Sequence, residues 1–339
     1  MKTANIILEY QPYIQCAPVS QDRAHQQACS NDAVTIERWY DTWISQIKAN
    51  HEKFGSFADN SIGKLYGLFD CRPMIVAGSG PSLKKNIKLL KDRPSQMGLI
   101  SCLHNFHYME DNAANVDLYV SLDAGDVTID EVSEGGLKSP DEYWDLTKDR
   151  KLCCYIGTSP KLLEKWRGEI YFFNAPVPDD RLRAEISAIE NFNCFVESGG
   201  NVLGAATFIA KGFLGSQVSI FIGADFSFSN ENKRTFHAWD SKYDAQMGQA
   251  QRAVDVFGNT VWTWPSYYNF KLWFDVVSQR VPGIYINATE GGCMGAYREG
   301  NIMQIKQMDL ANVFELFSLH SVKQNQATNP GGDNREVFM

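Results

Sequence analysis

Short apolar runs alternate along this chain with stretches whose apolar positions recur at helical spacing. MIVAG at 74–78, MGLISCL at 97–103, VDLYVSLD at 116–123 and KLCCYIG at 151–157 read as strands, as do EIYFFN at 169–174, QVSIFIGAD at 217–225 and GIYINAT at 283–289. Most are apolar throughout rather than alternating, the pattern of strands buried on both faces. Between them, residues 81–92 put Leu83, Ile87 and Leu90 on one helical face. SPKLLEKW forms a further helix, with Pro160 suited to its first turn. GNVLGAATFIAKGF at 200–213 predicts a helix whose small residues permit close packing on a sheet. SYYNFKLWFDVVSQRV at 266–281 and MDLANVFELF at 308–317 predict two more.

This alternation predicts an α/β fold of Rossmann-like type, a mainly parallel sheet with helices on both faces. AVTIERWYDTWISQIKAN at 33–50 adds an N-terminal helical segment. Its Ile36, Trp39, Tyr40, Trp43, Ile44 and Ile47 are read as packing against the rest of the fold rather than as a ligand site. Residues 1–30 carry little pattern. The expected organisation is an N-terminal helical segment at 1–70 packing on the core, a Rossmann-like domain at 71–320, and a mobile polar tail at 321–339.

Composition narrows the function classes. The chain has 339 residues, 44% hydrophobic, enough for a large core. Thirty-two Lys and Arg stand against 40 Asp and Glu, a formal charge of −8 without a basic block. That argues against nucleic acid as the main partner. Eight cysteines include no CxxC pair and read as reduced thiols of a cytoplasmic protein. The N-terminus MKTANIILEYQPY is interrupted by Glu9 and makes a poor signal peptide. No apolar run approaches about 18 residues, so no membrane span is expected.

Candidate chemistry collects at strand ends. Gly78, Ser79, Gly80, Pro81 and Ser82 fall where a strand turns into a helix. Glycine admits close backbone approach, proline fits the first helical turn, and free N–H groups there favour an anion. Lys84 and Lys85 add positive charge, so a phosphate is the natural guest; a plain βα turn is the alternative. Leu83 stands where a GxGxxG motif has its third glycine, and no GK[ST] follows, so neither nicotinamide nor P-loop nucleotide use is supported. Asp123 and Asp126, just past another strand, either bind a ribose hydroxyl or Mg²⁺ or cap their loop. Ser198 and Asn201 can cap the helix they precede, and the Gly199 and Gly200 amides can meet a ligand. Asp225 ends a strand and opens a long polar loop at 223–244 that carries His237, a residue able to act as general base. Lys233, Arg234 and Tyr243 of that loop could neutralise a leaving phosphate. Glu290, beside two glycines, either holds sugar or ribose hydroxyls or caps a turn. Cys102, His104 and His107 lie close in sequence, but without a second ligand pair at zinc spacing the histidines read as core or loop residues.

The ordered segments IVAGSGPSL, VDLYVSLD, ESGGNVLGAATFIAKGF, VSIFIGADFSF and INATEGG resemble the MptE-like family across about residues 35–317. That family is named for archaeal 6-hydroxymethylpterin diphosphokinases and includes the Maf flagellin glycosyltransferases. The ordered set, closing with Thr289-Glu290-Gly291-Gly292, looks more like the Maf-type branch than the pterin kinase. The Gly-x-Gly-Pro-Ser-Leu turn is also similar to the one that opens the nucleotide site of certain bacterial sialyltransferases. The resemblance implies a transferase, with a glycosyltransferase using a nucleotide-sugar donor, such as a CMP-linked nonulosonic acid, in front. It implies donor phosphate at the 78–82 turn, a nucleotide pocket along 198–201, an Asn105 contact to a cytidine nucleotide, and His237 as the base on an acceptor hydroxyl. The partners implied are the donor and a glycan or protein acceptor. A rival reading is a diphosphokinase using ATP and Mg²⁺, which alone would need a metal cofactor, its ligands unassigned beyond the Asp123 and Asp126 region. A third is a nucleotide-binding protein without catalysis.

Overall fold

The computed structural model describes residues 21–228, 236–239, 250–296 and 304–327. The strands among them are β1 (Pro73–Ala77), β2 (Gly98–Cys102), β3 (Leu118–Ser121), β4 (Lys151–Tyr155), β5 (Glu169–Phe173), β6 (Val218–Ile222), β7 (Gln251–Val254), β8 (Thr260–Thr263), β9 (Ile284–Asn287) and β10 (Ile305–Gln307). Eight of them form one sheet in the order β10-β9-β6-β1-β2-β3-β4-β5, every neighbouring pair parallel. β1, β2 and β6 are buried along their whole length, which is why their sequences are apolar at every position or nearly so. β7 and β8 make a separate antiparallel hairpin.

The strand order reverses at β1. From β1 the chain steps outward through β2, β3, β4 and β5, then returns to lay β6 on the other flank of β1. Such a reversal opens a crevice at the carboxyl ends of the two central strands, the usual ligand position in open α/β sheets.

The helices are α1 (Gln21–Phe54), α2 (Leu83–Asn86), α3 (Phe106–Asp111), α4 (Val127–Glu131), α5 (Pro140–Leu146), α6 (Pro160–Lys165), α7 (Asp180–Ile189), α8 (Val202–Phe208), α9 (Pro265–Arg280) and α10 (Leu310–Ala327). Four expectations change in detail. The helix expected over 81–92 is α2 followed by a 3-10 segment, Ile87–Asp92; Pro94 then holds Arg93 extended, with ψ 131°. The one expected over 200–213 is α8 continued as a π-helix, Ile209–Phe213. α1 begins at Gln21, inside the stretch that carries little apolar pattern. α10 continues past Phe317, where its apolar pattern ends. α3, α4, α5 and α7 are too short or too polar to announce themselves by periodicity, although Ser139 and Glu142 build a capping box at the head of α5.

The small residues of α8 do what their size suggests. Gly204, Ala205 and Ala206 are buried, and α8 lies against β1, β2 and β3. A Cβ at Gly204 would collide with the Ser198 carbonyl. The N-terminal helix splits its apolar face between two tasks. Ile44 and Ile47 enter the core, and α1 packs on α7 and α9. Side chains then fasten it across the carboxyl edge of the sheet. The Asn50 amide donates to the carbonyls of Ile156 (2.8 Å) and Thr158 (2.9 Å), and the Gln46 amide to that of Ala124 (3.0 Å). Trp43 packs against the core, as Ile36 and Tyr40 of this face do, and Trp39 and Trp43 also line the space above the strand ends. No helix among the described residues is long and apolar enough to cross a membrane.

Candidate functional site

The 78–82 turn sits at the reversal point, between β1 and the exit of β6. β1 and β6 keep pairing into it: the Gly78 N–H donates to the Ile222 carbonyl (2.9 Å) and the Gly80 N–H to that of Gly223 (2.8 Å). This closeness is what demands glycine. A Cβ on Gly78 would come within 2.5 Å of the Gly223 oxygen; one on Gly80 would lie 2.7 Å from it and inside contact distance of Asp225 Oδ2.

The anion at the head of α2 is a carboxylate of the chain itself. The Ser82 N–H points at both Asp225 oxygens (3.3 and 3.2 Å), and the Ser82 hydroxyl donates to Asp225 Oδ1. Asp225 is 4% exposed, and burial pushes its carboxyl up to about 6 against the pull of the Ser82 hydrogen bonds and the Lys85 charge. Its backbone carbonyl accepts the Cys293 N–H (2.7 Å), closing the β6–β9 side of the crevice. Pro81 and Ser82 are buried within this clasp.

The crevice opens on the other side, over β1 to β5, as a cleft of 1370 Å³. Of the turn, Ser79 lines it. So do Asp123 after β3, the loop of Ser198, Gly199, Gly200 and Asn201, and His237. Gly199 (φ 58°) and Gly200 (φ 80°) bend that loop into α8, with the ring of Trp273 packed where a Gly199 Cβ would lie. Asn201 caps α8 through the Gly204 N–H (2.9 Å), and the Ser198 hydroxyl accepts the Gly200 N–H (3.1 Å). Asp123 is exposed, its Oδ1 accepting the Gly125 N–H (2.8 Å).

Other candidates stand apart from the cleft. Asp126 is held by the Ser159 hydroxyl (2.6 Å) and Lys161 Nζ (2.5 Å), which keep its carboxyl below the usual range. The carboxylates of Asp123 and Asp126 therefore have separate partners within the chain. Asn105 is buried, its amide donating to the carbonyls of Ala77 (3.3 Å) and Gly78 (3.0 Å), so it ties the exit of β2 to that of β1. Glu290, at φ 59°, accepts from the Asn86 amide (2.7 Å) and the Leu310 N–H (3.3 Å), joining α2 to the head of α10. Lys233, Arg234 and Tyr243 lie outside the described residues.

His237 is 7% exposed and belongs to an aromatic wall that sequence reading does not reveal. Its neighbour Phe236 stacks on Trp264 (4.7 Å, 17°) and leans on Tyr267 (4.3 Å). The Ala238 N–H donates to the Ser79 carbonyl (3.0 Å), so the 78–82 turn also anchors the backbone beside His237. His104, read as a core or loop residue, lies in the 3-10 turn Leu103–Asn105 after β2 and lines the cleft beside Glu131. Burial pushes the neighbouring Cys102 thiol up to about 12, keeping it protonated and a poor metal ligand. Among the described residues no group of three or more His, Cys, Asp or Glu could hold a metal ion.

This architecture places the chain among doubly wound α/β proteins with a cleft at the strand-order reversal. The family model described as "6-hydroxymethylpterin diphosphokinase MptE-like" matches residues 42–231. The chain belongs to that family. Among solved structures it is similar to the MAf glycosyltransferase from Magnetospirillum magneticum AMB-1, with a TM-score of 0.53 over 84% of this chain. At 13% identity that likeness is one of fold, and this chain spans only 42% of that protein's length. No curated protein matches the sequence.

Proposed function

We propose that this chain is a glycosyltransferase using a nucleotide-activated sugar, with a CMP-linked nonulosonic acid as the favoured donor. The observation that carries this reading is the convergence of Ser79, Asp123, the 198–201 loop and His237 on one cleft at the strand ends. Its 1370 Å³ exceeds the roughly 300–1,000 Å³ of ordinary single-ligand pockets, leaving room for donor and acceptor together. Family membership supports a transferase, and the fold shared with a glycosyltransferase favours this one.

In this mechanism the donor phosphate lies against the cleft-facing edge of the turn at Ser79. Asp123 accepts hydrogen bonds from ribose or sugar hydroxyls, and the Gly199 and Gly200 backbone borders the nucleotide. His237 draws the proton from the acceptor hydroxyl as its oxygen bonds to the anomeric carbon. The anomeric C–O bond breaks, and the nucleotide phosphate leaves with the electron pair. Asp225, Asn105 and Glu290 hold the strand ends in place around this site, and Asp126 holds its own loop to α6.

The family's description keeps the diphosphokinase as the second reading. Release of free nucleotide from CMP-, UDP- and GDP-sugars, with and without EDTA, separates the three readings. The proposal expects turnover of at least one nucleotide sugar that EDTA leaves intact. AMP formation from ATP, abolished by EDTA, establishes the kinase instead. Nucleotide binding with no turnover of any donor establishes the non-catalytic protein.

A further inference from the structure

A cluster of three histidines and a tryptophan stands where the cleft meets β2. The rings of His104 and His237 stack at 4.6 Å, 21° from parallel. Trp239 lies 5.2 Å from His237 and 5.3 Å from His104, and meets His107 edge-on at 4.7 Å. One member is tethered from outside: Nδ1 of His104 is 3.3 Å from Glu131 Oε2. The same residue's backbone carbonyl lies 3.2 Å from Nδ1 of His107.

Burial pushes His104 down to about 3, and charge on His237 or His107 pushes it the same way. The ring is therefore neutral near pH 7. With its proton on Nδ1 the neutral ring faces Glu131 Oε2 at 3.3 Å, and that contact holds the ring plane. His104 thus offers His237 a rigid, uncharged face. A positive charge there would oppose protonation of His237 at a distance of 4.6 Å.

We propose that His104, locked by Glu131, is the positioning residue of His237, setting by ring stacking the plane in which the His237 imidazole meets an acceptor hydroxyl. This inference rests on His237 being the base of the proposed transfer. Proton transfer needs the base within hydrogen-bond reach of its target, and small misplacements of reacting groups cost about 10²-fold in rate.

The test uses the full chain with imidazole-labelled histidine, and His104→Ala, His104→Phe, Glu131→Ala and His237→Ala variants. The His237→Ala spectrum assigns the His237 ring resonances. NMR without any ligand reports the surroundings of that ring, and CMP release from a CMP-linked nonulosonate reports turnover. His104→Ala and Glu131→Ala should shift the His237 resonances and lower kcat about 10²-fold with the donor KM unchanged. His104→Phe, which keeps a ring in place, should recover kcat to within about tenfold of wild type by restoring the stacking. Glu131→Ala keeps the His104 ring in its space and covers the case in which His104→Ala fails to fold. Unmoved His237 resonances in both alanine variants would overturn the positioning role. So would shifted resonances with undiminished kcat while His237→Ala is inactive. A fully active His237→Ala overturns the base reading itself, and the ligand-free spectra tell that failure from the other.

Discussion

Asp225→Asn removes a buried carboxylate while keeping its shape, and so asks whether the chain supplies the anion for its own glycine turn. Burial raises the Asp225 carboxyl from 3.8 to about 6 in the folded chain. Between those values the folded chain keeps a proton that the unfolded chain has released. Stability therefore falls as pH rises from about 4 through about 6, and the full penalty stands at neutral pH. At about 1.4 kcal/mol per pH unit, the difference is ~3 kcal/mol. An asparagine resembles the protonated acid: its carbonyl oxygen can accept from the Ser82 hydroxyl, and it carries no charge at any pH. Urea unfolding of both proteins from pH 4 to 7.5 measures the effect. Relative to wild type, the variant should gain up to ~3 kcal/mol between pH 4 and pH 7, most of it between pH 4 and 6. A difference between the two proteins that stays flat with pH would refute the buried clasp, as would one that moves in the variant's disfavour.

Two other predictions concern the turn and the base. Gly80→Ala places a Cβ against Asp225 and the Gly223 carbonyl, and should destabilise the fold by about 1–3 kcal/mol, the usual effect of overpacking; a melting temperature equal to wild type would contradict the contact. His237→Ala should bind nucleotide as wild type does and lose about 10²–10⁴-fold in turnover, read as nucleotide release at saturating donor; a variant keeping more than about a tenth of the rate would remove His237 from the chemistry.

Local patterns carried much of the fold. Strands such as β1, β2 and β6 are buried on both faces, so their unbroken apolar runs mark them. The β7–β8 hairpin was illegible because QRAV and TVWT are short and only partly buried. The site was legible as a set of strand ends and glycine loops, since topology alone sends those to one edge. Its partnerships were not. Ser82 and Asp225 are 143 positions apart, and no local pattern says that the amide free at the head of a helix will meet a carboxylate from another strand. Trp39 and Trp43 share a helical face with Ile44 and Ile47, and periodicity cannot tell that the two tryptophans, one of them packed on the core, also border a cleft. Glu131 lies in a short helix without a motif, so its pairing with His104 emerges only from the packing of α4 beside the β2 exit.

Calorimetric titration of CMP, UDP, GDP and ADP into the wild-type chain and Asp123→Asn tests the central claim, that the cleft at the strand ends is a nucleotide-donor site. Saturable one-to-one binding of at least one of the four is expected, strongest for CMP. Asp123→Asn should weaken it about tenfold or more, the usual loss for a hydrogen bond to a charged group, without lowering the melting temperature, because Asp123 is exposed. No binding of any of the four, or binding that Asp123→Asn leaves unchanged, would contradict that claim.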